Sequence, residues 1–284
     1  MCLETRGWQY PSKLLSWILA LVRGFSGYMV LPRCPIGDNY RHQIAEVSQM
    51  DKVESLNELL GLRIPAVAVA FLDEPPAGLQ AWEGPSQPAG CAFWRWAGEG
   101  RAFYTKPSDH YNCAVGSYTH AIELPAERSS ELDDTIKLMA ENSYLRVSEV
   151  PGIPRLAQTP SFIAYGPADA PGFQPDVVLI TATPYQAMLI YEAAIRAGLT
   201  APLSNIMGRP TCAVLPLTLS SKSPGMSLGC AGNRVHTGLG NHELYVSIPG
   251  ANWSVFKAHL VEILEANRTM VEVYEEKEKT SGAS

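Results

Sequence analysis

The apolar positions of this chain alternate between a helical rhythm and short continuous runs. Ile44, Val47, Val53, Leu56, Leu59 and Leu60 recur near helical spacing and stop at Gly61, which predicts an amphipathic helix over roughly 41–60. Residues 65–71 form a short apolar run closed by Asp73-Glu74-Pro75-Pro76, the pattern of a buried strand. Residues 91–96 and 101–104 flank Gly98-Glu99-Gly100, which reads as a hairpin. A helix is expected from 125 to 145 with Leu132, Ile136 and Met139 on one face, and residues 161–165 and 176–182 read as strands. Pro184 opens a helix that runs to about Ala197 and stops at Gly198. Asn252 caps a last helix from 253 to about 276, with Phe256, Leu260, Ile263 and Leu264 turned inward.

One local pattern occurs twice. Cys113-Ala114-Val115-Gly116 closes on Ile122-Glu123-Leu124-Pro125, and Cys230-Ala231-Gly232 closes on Glu243-Leu244 and Ile248-Pro249. Upstream of each stands another Cys-Ala, at Cys91 and Cys212, 22 and 18 residues away. Each half also repeats the order strand, connector, cysteine, β-segment, cysteine, glycine turn. These features predict an α/β fold, leaning to α+β, in which an internal duplication builds two related halves from mixed sheets with flanking helices. Pro151, Gly152 and Pro154 mark the boundary, giving a first half at 41–150 and a second at 151–284. Residues 1–40 read as a poorly ordered or extension segment. Their apolar run at 14–22 is too short to span a bilayer and only weakly resembles a signal peptide, and whether residues 1–49 are part of the native protein stays open.

Composition narrows the function classes. The net charge of −6 and a charged fraction of 18% give no basic face, so no nucleic-acid partner is expected. No membrane partner is expected either, and the compartment expected is the cytoplasm. Six cysteines are too few for a disulfide scaffold in 284 residues, so in a reducing compartment they are free, catalytic or metal-bound. No phosphate loop or dinucleotide fingerprint is present: Gly225 and Gly229 have the wrong spacing, and Gly238-Leu239-Gly240 precedes a strand.

Cys91, Cys113, Cys212 and Cys230 therefore carry the chemistry. Four thiolates suit a [4Fe–4S] cluster or zinc, and a twofold arrangement would bring them together although 139 residues separate the first from the last. There is no C-x₂-C pair, so no compact metal motif is met. Gly116, Gly229 and Gly232 let backbone N–H groups approach sulfur, and Trp94, Trp96, Tyr104 and Tyr111 can shield a cluster, which favours iron–sulfur. Taken singly, each cysteine also reads as ordinary core. A third chemistry is a thiol nucleophile, Cys113, served by His110 in Asp109-His110-Tyr111-Asn112-Cys113. Arg234 and Glu243 read as an ion pair or an anion site.

Taken together, these segments resemble DUF169, an uncharacterised bacterial and archaeal family. The residues that carry the resemblance begin with Leu60-Gly61-Leu62, Pro65-Ala66-Val67-Ala68-Val69-Ala70, Phe71 and Glu83-Gly84-Pro85. Phe103-Tyr104, Asp109-His110-x-x-Cys113 and Gly116 follow, then Pro184-x-Gln186-Ala187-Met188, Cys212, Cys230-x-Gly232-x-Arg234, Glu243 and Ile248-Pro249. The resemblance runs from about Val53 to Leu264 and implies that the four cysteines are a matched set, without implying an activity. The expected function is a [4Fe–4S] redox or electron-transfer protein with His110, Tyr111 and Arg234 as candidate catalytic residues. The alternatives are a zinc- or small-ligand-binding module and the Cys113/His110 enzyme. Expected partners are a redox partner or small-molecule ligand, with homo-oligomerisation open.

Overall fold

Most of the expected apolar runs become strands of one eight-stranded mixed sheet. The structure is a computed structural model that describes residues 55–199 and 205–281. The expected helix at 41–60 and the segment before it fall outside these residues, apart from α1 (Leu56–Leu60). Ser55 and Glu58 form a capping box at the start of α1, and Gly61 ends it at φ 59, a conformation open to glycine.

The central strands β1 (Val67–Leu72) and β5 (Val177–Ala182) are antiparallel neighbours. Every residue of β5 is buried, because helices cover both faces of the sheet. Side chains alternate between the faces. Val178, Ile180 and Ala182 join a core with α1, α5 (Pro184–Arg196) and the long α8 (Trp253–Ser281). Val177 and Leu179 face a second core with Phe93, Trp94, Phe103, Tyr165 and Cys212. The thiol site belongs to that second face.

Three strands extend the sheet on each side of this central pair. They are β2 (Gln80–Ala81), β3 (Phe103–Thr105) and β4 (Phe162–Pro167) on one side, matched by β6 (Ile206–Met207), β7 (Gly225–Ser227) and β8 (Leu244–Pro249) on the other. Outward from the centre the order is β1-β4-β3-β2 in the first group and β5-β8-β7-β6 in the second. The outermost pair is parallel on each side, and all other pairs are antiparallel. At the centre Val67 lies opposite Leu179, Ala68 opposite Val178 and Val69 opposite Val177. This register has the form of a twofold rotation passing through the Ala68–Val178 pair. Hydrogen bonds follow it: Ala168 N–H donates to Ala66 O at 2.8 Å, and Gly250 N–H donates to Asp176 O at 2.8 Å.

Two sequence expectations are corrected. Residues 91–104 are not a hairpin: Ala92–Gly98 forms the helix α2, which feeds β3. Its buried Phe93, Trp94 and Ala97 share one helical face, and so short an apolar run cannot be assigned by period alone. Ala121 turns the chain at φ 55, and β4 pairs along the length of β1. The α/β architecture with mixed strand pairing is as expected and forms one eight-stranded sheet, in which β4, after Pro151, pairs within the first group. The helix expected at 125–145 is shorter, with a turn at Ala126–Arg128 before α4 (Glu131–Glu141).

Candidate thiol site

Each of the four cysteines stands at the start of a helix, and the four positions match in the two strand groups. Cys91, between β2 and β3, precedes α2, and Cys212, between β6 and β7, lies in the turn Thr211–Ala213 that leads into α6 (Val214–Ser221). Cys113 caps α3 (Ala114–Thr119), and Cys230 caps α7 (Ala231–Thr237). All four line a single cavity of about 610 Å³. Cys212 is buried, the other three are half-buried, and none is in a disulfide.

The thiols influence one another. Burial pushes the Cys91 thiol up to about 12, helped by the neighbouring charges of Cys113 and Cys230, while the Asn233 side chain pulls it down. Burial also drives the Cys212 thiol well above its ordinary value, with Cys113, Cys91 and Cys230 adding to the effect and the Thr119 hydroxyl opposing it. Three donors surround the sulfurs. Gly116 N–H donates to Cys113 Sγ at 3.2 Å, the Thr119 hydroxyl donates to Cys212 Sγ at 3.3 Å, and the buried Asn233 lies beside Cys91. Asn233 Nδ2 has no hydrogen-bond partner among the described residues. A buried donor left unpaired costs about 1–3 kcal/mol, so an orphan of this kind calls for an acceptor. Among the described residues, no three His, Cys, Asp or Glu side chains are already gathered as a metal-ligand set.

The other sequence candidates lie elsewhere. His110, Tyr111 and Arg234 are not among the residues lining the cavity. His110 is 2% exposed, its Nε2 shares a 2.8 Å hydrogen bond with the Thr105 hydroxyl, and its ring stacks on that of His120. Its contact with Cys113 is through the backbone, where Cys113 N–H donates to His110 O at 3.0 Å. Arg234 donates to the carbonyls of Gly229, Gly240 and Leu228, fastening the loops around α7. Glu243 pairs with Arg63, at 2.5 Å between Oε2 and Nη2, so the ion pair expected between Arg234 and Glu243 is corrected. The loop carbonyls take the guanidinium, and the first strand group supplies the carboxylate's partner. Of the glycines expected near sulfur, Gly116 contacts it, whereas Gly229 N–H donates to Ser227 Oγ.

Asn233, Thr119, Arg209 and Tyr144 escaped the sequence reading. Asn233 follows Cys230 by three residues, one helical turn, and that spacing is the only local signal any of them carried.

The sequence profile of the DUF169 family (uncharacterised ArCR) matches residues 55–254, and the chain belongs to that family. The chain is also similar to an uncharacterised protein of Methanocaldococcus jannaschii, at 25% identity over 207 residues that cover 70% of this chain and 88% of the relative. No solved structure gives a significant match.

Proposed function

We propose that this DUF169 chain holds a [4Fe–4S] cluster on Cys91, Cys113, Cys212 and Cys230 and acts in electron transfer or redox chemistry on a small ligand. The observation that carries the reading is that four thiols, from matching positions of two strand groups, line one cavity. Four sulfurs are the donor set that iron–sulfur clusters use, and single ligands from separate loops suit a site built between two groups of strands.

The electrostatics fit a bound cation. Buried, mutually repelling thiols such as Cys91 and Cys212 stay protonated by themselves. A metal centre displaces those protons and makes the thiolate the stable form. Donors for the charged sulfurs stand nearby: Gly116 N–H, the Thr119 hydroxyl and the Asn233 Nδ2 group, which has no partner among the described residues. Hydrogen bonds to sulfur, together with burial, are what set a cluster's potential. Ligation would require the thiol side chains to rotate toward one another. Once bound, the cluster would supply a one-electron store, which the chain would hold, shield and tune.

We further infer that the two strand groups descend from an internal duplication. The matching strand order, pairing sense, central register and cysteine positions support it.

Anaerobic purification followed by a visible spectrum tests the cluster. A brown protein with broad absorption near roughly 400 nm, from sulfur-to-iron charge transfer, is expected. A colourless protein with stoichiometric zinc would replace the redox reading with a structural one.

A further inference from the structure

The two strand groups differ most in one connection. The first carries residues 120–161 between α3 and β4, where the second has only 238–243 between α7 and β8. The longer segment contains α4 and the turn Val147–Gly152, and it supplies a wall of the cavity into which the thiols open. It is tied down at two points after α4, Tyr144 and Val150. Tyr118 donates its hydroxyl hydrogen to Val150 O at 3.2 Å, and Ala231 N–H donates to the Tyr144 hydroxyl at 3.3 Å.

Helix α4 buries none of its residues, yet its apolar Leu132, Ile136 and Met139 all line the cavity. The helix therefore turns its apolar stripe to open space where a surface helix would ordinarily cover core. A volume of about 610 Å³ lies within the range of small-molecule sites, which combine apolar walls with a few fixed polar groups. Arg209 is the strongest such group. Its guanidinium lies over the Tyr144 ring at 4.6 Å and pairs with no carboxylate among the described residues. A guanidinium held in one plane matches a carboxylate with two parallel hydrogen bonds. Glu149, on the same lining, disfavours a second negative charge on the ligand.

We infer that the cavity binds a small organic monocarboxylate with an apolar body, the carboxylate on Arg209 and the body against Leu132, Ile136 and Met139. Binding itself does not depend on a metal. That the ligand is the redox substrate rests on the cluster reading above, because the same cavity holds the thiols.

Calorimetric titration of the full chain with phenylacetate and with its neutral counterpart phenylacetamide tests this, with iron measured on the same sample. Phenylacetate should bind saturably at one per chain and about tenfold more tightly than the amide. Arg209→Gln should abolish that preference. Ile136→Glu should weaken both compounds about tenfold or more while leaving the melting temperature nearly unchanged, since Ile136 is not buried. Absence of saturable binding, or a preference for the acid that survives Arg209→Gln, would overturn the inference. Binding by an iron-free sample would uphold it while the cluster falls, and a brown sample that binds neither compound would sink it while the cluster stands.

Discussion

His110 and His120 show how strongly the region behind the thiols resists charge. Their rings stack with centroids 6.0 Å apart, and each is 2% exposed. Burial, with the neighbouring ring adding to it, pushes His110 down to about 3. Burial pushes His120 down to about 4 against the opposing pull of Gly116 O. Above the ordinary value of 6.5 both rings are neutral whether the chain is folded or not. Below it the unfolded chain takes up protons that the folded one refuses, so stability falls as pH drops from 6.5 toward about 4 and then about 3. His120 alone should contribute a loss on the order of 3 kcal/mol at the acid end. Melting temperatures between pH 7 and pH 4 should decline, and His120→Gln should flatten the decline; an unchanged slope would contradict the assignment. At this scale the sequence revealed residues whose chemistry comes with their type. The four cysteines stood out because thiols are few and their neighbours repeat. Arg234 was misread because its partners are backbone carbonyls, which have no sequence signature.

Among the elements, the turn from β8 into α8 is held by a close approach of two backbones. Gly250 N–H bonds Asp176 O, and a Cβ on Gly250 would run into the Pro175 carbonyl. Backbone cannot swing aside as a long side chain can, so Gly250→Ala should destabilise by about 3 kcal/mol or more. Gly152→Ala, where a Cβ meets nothing within 4 Å, should stay within about 0.5 kcal/mol. Urea midpoints of the two variants compare them directly, and similar midpoints would contradict this packing. Elements with strong local signals were legible in the sequence. α5 begins at Pro184 as expected, behind a Thr183–Gln186 capping box, and β1 and β5 match the apolar runs that predict them. The segment holding α2 was not, because Phe93, Trp94 and Trp96 suit a strand as readily as a short helix. The two-residue edge strands were invisible for a similar reason, since two residues carry no period.

For the whole molecule, the described residues form one compact unit in which a continuous sheet joins both strand groups. No helix among the described residues is long and apolar enough to cross a membrane. That the halves share a sheet was not legible, because the pairing of β1 with β5 is a long-range contact that leaves no mark on either strand's pattern. The four cysteines, far apart in sequence, nonetheless line one cavity. The central claim is that all four act as one ligand set. Iron and acid-labile sulfide per chain, measured after anaerobic reconstitution of the wild type and of Cys91→Ser, Cys113→Ser, Cys212→Ser and Cys230→Ser, test it most directly. The account predicts about four of each in the wild type and a marked loss in every variant. A wild type that retains no iron, or variants that keep the full complement, would contradict it.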